Sequence, residues 1–235
     1  MLLYVNGCSH TAAAEAVNPA AFAEDDWNYR ALGRRPHPDN LAVSWCTHLA
    51  DQLGMPMVCD AESASSNDRI IRTSRARLDQ YSGADDIFVI LQWTTWEREE
   101  WFHDGTWYQV NASGIDQVPG ALEARYRQYI LDVDWNQKTQ DAHQKIWSMH
   151  RWLEQRQIPH LFYNGHSTFS DISDQHCWGT SYIEPYNANH SYNAILLENG
   201  FSYVNPKSYH FGADAHCFWA KYLLQYIQSY KLIGA

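Results

Sequence analysis

Five consecutive residues, Ile87-Phe88-Val89-Ile90-Leu91, carry no polar side chain and are mostly β-branched or aromatic. The run lacks the polar alternation of a half-exposed strand, so it predicts a parallel strand covered on both faces. Three more short runs, Leu2 to Val5, Met55 to Cys59 and His160 to Tyr163, read as strands, and a weaker one lies near Phe201 to Val204. Between them the apolar period lengthens. Leu41, Trp45, Leu49 and Leu53 recur every four residues and stop at Gly54, while Ile70, Ile71, Ser74 and Leu78 follow the helix-opening residues Ser66, Asn67 and Asp68. Ala142, Ile146, Met149, Trp152 and Leu153 mark a helix over 141–157, a short one is expected at 191–199, and a last one begins after Gly212. Strands and helices alternating in this way wind a parallel sheet with right-handed crossovers. The expectation is one three-layer α/β/α domain over residues 1–235 around a mostly parallel, five-stranded sheet.

Some stretches do not follow this rhythm. Residues 12–40 are Ala-rich and then loop-like, with the charged run Glu24-Asp25-Asp26, and read as a surface excursion. Residues 97–137 are irregular and aromatic, which fits a substrate-side insertion or a partner surface. Residues 164–190 form a long polar connection whose length points to a functional or mobile loop. Arg69, Arg72, Arg75 and Arg77 read as the solvated face of their helix.

The formal charge of −10 gains nothing from duplex nucleic acid or an anionic membrane, so neither is an expected partner. The five cysteines are widely spaced and form no CxxC pair, which suits reduced thiols in a cytoplasmic setting better than a disulfide framework. No secretory leader and no apolar span of membrane-crossing length is read from the chain.

Chemistry concentrates at the first strand's end, where Asn6-Gly7 gives way to Cys8-Ser9. A side chain there sits at the carboxyl edge of the sheet, where ligand crevices form, and a helix starting just after it would aim its positive end at an anionic intermediate. Ser9 is the candidate nucleophile and needs a histidine within reach. His210, in the loop before the terminal helix, faces the same edge. His216 with Asp214 is the rival pair, although a separation of two residues in a helix turns their side chains to different faces. Cys8 as a thiol nucleophile is a lesser alternative, since neighbouring side chains at a strand-end turn point apart. A metal held by His176-Cys177, His190, His210 and His216-Cys217 has no HExxH or paired-cysteine spacing behind it, so no metal and no other cofactor is expected. Glu97, Glu99 and Glu100 are a charged run that reads as solvated rather than as a glycosidase pair.

In these residues the chain resembles a divergent member of the SGNH (GDSL-type) hydrolase superfamily, near its phage- and bacterium-associated versions. Gly7-Cys8-Ser9 stands for the family's GDS, and Ser63-Ala64-Ser65-Ser66-Asn67 for its oxyanion loop, with Ala64 where glycine is expected. Gln92-Trp93-Thr94-Thr95 replaces GxND. His210-Phe211 matches the HP of the last DxxHP block, with Lys207 in place of the acid. The resemblance implies a flavodoxin-like sheet and a serine esterase that removes a small, acetyl-like acyl group from a polar alcohol such as a carbohydrate. Ser9 and His210 would be catalytic, the N–H groups of Ser9 and Ala64 helped by Asn67 or Thr94 would hold the oxyanion, and Trp93, Trp96 and Trp101 would wall the alcohol. The missing acid and missing amide leave open a degenerate binding or structural protein on the same fold.

Overall fold

The computed structural model describes residues 1–23, 34–81, 86–112 and 118–234. The run Glu24-Asp25-Asp26 lies outside them. Four parallel strands form the central sheet: β1 (Leu2–Asn6), β2 (Met57–Cys59), β3 (Ile87–Trp93) and β6 (His160–Asn164), in the order β2-β1-β3-β6. Two further strands, β4 (Glu99–His103) and β5 (Thr106–Val110), make a hairpin of their own. The helices are α1 (Pro38–Ala42), α2 (Trp45–Leu53), α3 (Asn67–Leu78), α4 (Glu123–Leu131), α5 (Trp135–Gln155), α6 (Tyr192–Glu198) and α7 (Ala213–Tyr230).

Side chains alternate across each strand and so divide the core in two. Leu3, Val5, Phe88, Ile90, Leu161 and Tyr163 join Trp45 and Leu49 of α2 and Trp219 and Leu223 of α7. Tyr4, Val89, Leu91, Trp93 and Phe162 join Ile70 of α3 and Ile146, Met149 and Leu153 of α5 on the opposite face. Local rules set the helix starts. Ser44 caps α2 by accepting from Thr47 N–H, which splits the helical stretch expected from Leu41 onward into α1 and α2, and Ser66 caps α3 by accepting from Arg69 N–H.

Among the described residues the expected fifth strand does not join the main sheet. The sequence around Phe201 to Val204 supplies β7 (Tyr203–Asn205), but β7 pairs antiparallel with β8 (His210–Phe211) away from the main sheet. The free edge of β6 is taken by the long polar connection: Phe162 N–H donates to Ser181 C=O, and Ile183 N–H donates to Phe162 C=O. Phe169, Ile172, Trp178 and Tyr182 of that connection are buried, so its length is spent covering an edge. Arg69 also departs from its expected place on a solvated face. It is buried, with Nε on the Glu62 carboxylate at 2.6 Å and Nη1 on Asp60 C=O and Ser65 Oγ, and so ties the loop before α3 to its first turn. Among the described residues no helix is long and apolar enough to cross a membrane.

Candidate active site

The turn after β1 is clamped from below by one side chain. Gln92, at the end of β3, accepts from Cys8 N–H (3.1 Å) and Thr11 Oγ1 (2.9 Å) through Oε1 and donates through Nε2 to Cys8 Sγ and Trp93 C=O. The clamp leaves no room for a side chain at Gly7, where a Cβ would sit 2.4 Å from Thr11 Oγ1 and 2.9 Å from Gln92. Gly165 is pressed on the same amide from the other side, its hypothetical Cβ lying 2.3 Å from Gln92 Nε2. The helix expected after Ser9 is not formed. Residues 9–15 make successive turns, with Thr11 and Ala12 N–H on Cys8 C=O and Ala14 N–H on Ser9 C=O, and the left-handed conformations of Ala13 (φ 51°) and Glu15 (φ 63°) end any helical course.

Those turns carry Glu15 back to the site. Its carboxylate accepts from His210 Nδ1 at 2.7 Å and from Ser208 Oγ. With Nδ1–H committed to Glu15, the free nitrogen of His210 is Nε2. Burial holds the His210 imidazolium below the ordinary histidine range, outweighing the upward pull of Glu15. Burial also works against the Glu15 charge, but the hydrogen bonds from Ser208 and His210 prevail and its carboxyl is lowered.

Ser9, Glu15, Ala64, Ser208 and His210 line one cavity of about 490 Å³. Its far wall comes from the insertion, through Glu97 and Arg98 just before β4 and Asn111 and Ala112 just after β5. Ser9 Oγ lies 4.0 Å from Cys8 Sγ and makes no hydrogen bond to His210. The N–H groups of Ser9 and Ala64 have no acceptor among the described residues. Ala64 is left-handed (φ 66°), the conformation glycine would adopt at no steric cost, and this turn leaves its N–H free of the local hydrogen-bond ladder.

Several expected site residues are elsewhere. Asn67 is occupied in a reciprocal pair with the Thr94 backbone, donating to its C=O at 3.3 Å and accepting its N–H at 2.9 Å; neither residue lines the cavity, and Thr94 Oγ1 is taken by Arg98. The aromatic wall is not built. Trp93 packs edge-on against Phe162 in the core, Trp96 stacks on Phe169, and Trp101 sits in the small core of the insertion with its Nε1–H on Glu99. His216 is buried within α7, its Nδ1 accepting from Trp45 N–H, and desolvation pushes it down to about 3; Asp214 is exposed. The rival pair is thereby separated. Lys207 is exposed and takes no part.

Glu15 was not singled out by sequence reasoning. Its one signal is that it is the only carboxylate between Ser9 and residue 24, set in a run of alanines. Arg98 was hidden within the charged run Glu97 to Glu100.

The sheet order and the crossovers define an α/β protein with a mostly parallel central sheet, a fold shared with solved structures. The psychrotrophic esterase EstA from Pseudoalteromonas sp., in a structure inhibited by monoethylphosphonate, is similar over 98% of this chain and 99% of its own, with a TM-score of 0.50 and 8% identity. A protein of the G-D-S-L family from Desulfitobacterium hafniense DCB-2 matches over 96% and 99% (TM-score 0.47, 13% identity), and the acetyl xylan esterase Est2A from the rumen bacterium Butyrivibrio proteoclasticus over 97% of this chain and 63% of its own (TM-score 0.47, 12% identity). At such identities the likeness is one of fold. No curated protein matches the sequence. Residues 33–175 match the model of DUF6071, a family of unknown function, and the chain belongs to that family. The match includes Ala64 and Arg98 and stops short of Ser9, Glu15 and His210 at either end.

Proposed function

We propose that this protein is a serine ester hydrolase that removes a small acyl group from a polar alcohol. The observation that carries the reading is the His210 imidazole, held by Glu15 through Nδ1 and sharing a cavity with Ser9. In the proposed reaction Ser9 Oγ attacks the ester carbonyl and its proton passes to His210 Nε2, which returns it to the leaving alkoxide. Water then repeats the sequence on the acyl-enzyme. The free N–H groups of Ser9 and Ala64 support an oxyanion hole, in which each donor contributes about 3 to 4 kcal/mol to the transition state. Glu15 takes the orienting role that the resemblance assigned to the position of Lys207. The esterase fold of EstA is consistent with this chemistry and does not by itself specify it.

Hydrolysis of p-nitrophenyl acetate by the purified protein and by Ser9→Ala tests the proposal. A loss of at least about 10³-fold in kcat is expected, since the nucleophile is removed and only binding and the oxyanion donors remain. A fluorophosphonate should add one adduct to the wild type and none to Ser9→Ala, read by intact mass. Equal rates for the two proteins and no adduct on either would instead fit a binding protein on the same fold.

A further inference from the structure

The hairpin of β7 and β8 delivers two side chains to one carboxylate oxygen. Its turn closes on Asn205, whose C=O accepts from Ser208 N–H (3.2 Å) and Tyr209 N–H (3.1 Å) and whose side-chain Oδ1 accepts from Lys207 N–H (3.0 Å). Tyr209 is left-handed (φ 59°), a conformation unfavourable for a bulky residue, and it turns the chain back so that His210 pairs with Asn205. The Tyr209 ring is exposed. The residues on either side of it, Ser208 and His210, both reach Glu15 Oε2, the imidazole from 2.7 Å. Backbone strain of this kind persists only where the surrounding structure holds it, and such positions cluster at functional sites.

Ser208 has one hydroxyl proton and two acceptors near it. Asn205 C=O lies 3.3 Å from Oγ and already takes two backbone N–H groups, whereas Glu15 is anionic and closer, so the proton goes to Glu15. Burial opposes the Glu15 charge, and the hydrogen bond from Ser208 leads those that offset it, ahead of His210 and Asn205. A glutamate side chain gives up much rotamer freedom when it is fixed, and a lone contact to an imidazole leaves it able to pivot. Two donors on one oxygen, joined through a single residue of the same turn, remove that freedom.

Resting on the esterase reading above, we infer that Ser208 is a positioning residue that holds the Glu15 carboxylate on His210 Nδ1, so that one hairpin supplies both the base and the group that aims its acid. In this role Ser208 acts through Glu15 and not on the substrate. The groups facing His210 give the assignment a readout. His10 follows the nucleophile, with its ring centroid 5.6 Å from that of His210, His166 comes from the loop after β6 and His216 from α7, and burial lowers all three. Burial lowers His210 as well, Glu15 pulls it up, and the charge of Arg98 before β4 adds to the lowering. Losing the Ser208 bond therefore moves the His210 pKa down if Glu15 swings away, and up if Glu15 stays in place with one competitor fewer.

The test is a double-mutant cycle over Ser208→Ala and Glu15→Gln. It is read by kcat on p-nitrophenyl acetate and by the His210 pKa from NMR titration of the ring, assigned through its absence in His210→Asn. Ser208→Ala should lower kcat by about 10- to 100-fold with KM little changed, the size expected for one hydrogen bond to a charged group. It should also move the His210 pKa, and with it the acid limb of kcat, to lower pH. In the Glu15→Gln background the same change should alter kcat by less than about threefold and leave the His210 pKa in place, because the residue it acts through is already lost. Lys207→Ala, exposed in the same turn, should leave both quantities as in the wild type. A kcat within about twofold of the wild type, a His210 pKa that is unmoved or raised, or an equal loss in both backgrounds overturns the proposal and leaves Ser208 a turn residue. The NMR titration needs no turnover. Should Ser9→Ala hydrolyse as fast as the wild type, the esterase reading fails, while the His210 pKa in Ser208→Ala still decides whether Ser208 holds Glu15.

Discussion

The two walls of the cavity are built on opposite terms. On the sheet side the side chains under the turn are tied to distant segments: the Gln92 amide is shared among Cys8, Thr11 and Trp93, Glu15 is taken by His210 and Ser208, and Asn67 is closed on Thr94. On the insertion side Glu97 Oε2 and Arg98 Nε are buried with no hydrogen bond among the described residues. Burying a polar group without a partner is costly. The first wall is held by bonds between distant segments, and the second by bonds from Glu97 to Thr95 and from Arg98 to Thr94 and Ser65.

The strongest way to break this contrast is at the committed wall. On the esterase proposal, Glu15→Gln should lower kcat by about 10² to 10⁴, because the imidazole loses both its fixed tautomer and the carboxylate that stabilises its protonated form. The pH profile gives an independent check. His210 must be neutral to accept a proton, and burial puts its pKa below 6.5, so activity should persist into mildly acidic solution and fall only as pH drops through that lowered value. Glu15 pulls the His210 pKa upward, so its removal should move the acid limb to still lower pH. A variant with unchanged kcat and an unmoved limb would assign Glu15 to structure alone.

A smaller effect is expected where the clamp itself is disturbed. Gly7→Ala drives a methyl group into Thr11 Oγ1 and Gln92, and should cost about 1 to 3 kcal/mol of stability, measured by urea unfolding. If stability is unaffected, the clamp is looser than the contact distances imply. The smallest change sharpens the comparison by relieving strain. Ala64→Gly places the residue suited to φ 66° in the loop before α3 and should add about 0.5 to 1 kcal/mol, or roughly 1 to 4 °C in Tm. A drop in Tm would mean that the alanine methyl contributes packing that outweighs its backbone strain.

Parts of this arrangement were legible along the chain. The five apolar residues before Gln92 marked β3, the four-residue recurrence ending at Gly54 marked α2, and the Gly7-Cys8-Ser9 turn with a histidine ahead of the last helix pointed to Ser9 and His210. Other inferences failed for a common reason. Asn67 was chosen for its place beside a small-residue loop, yet its amide is captured by a backbone 27 positions away. The three tryptophans were chosen for their proximity to the strand end, and packing draws them into cores. The preference for His210 over His216 rested on local helix geometry, and packing separates them further: one is inside a helix against Trp45 while the other faces the cavity.

Sequence by itself determined the four strands of the main sheet, the helices α2, α3, α5, α6 and α7 that alternate with them and the turn that bears Ser9, because side-chain period, capping residues and glycine act over a few neighbouring positions. Tertiary structure alone decided that Glu15 meets His210 across 195 positions, that β7 leaves the sheet because Ser181 to Ile183 already cover β6, and that the half-buried Glu97 and Arg98 share a cavity with Ser9. Which polar groups find partners depends on how distant segments pack, and that competition for hydrogen bonds is resolved only when the whole chain has folded.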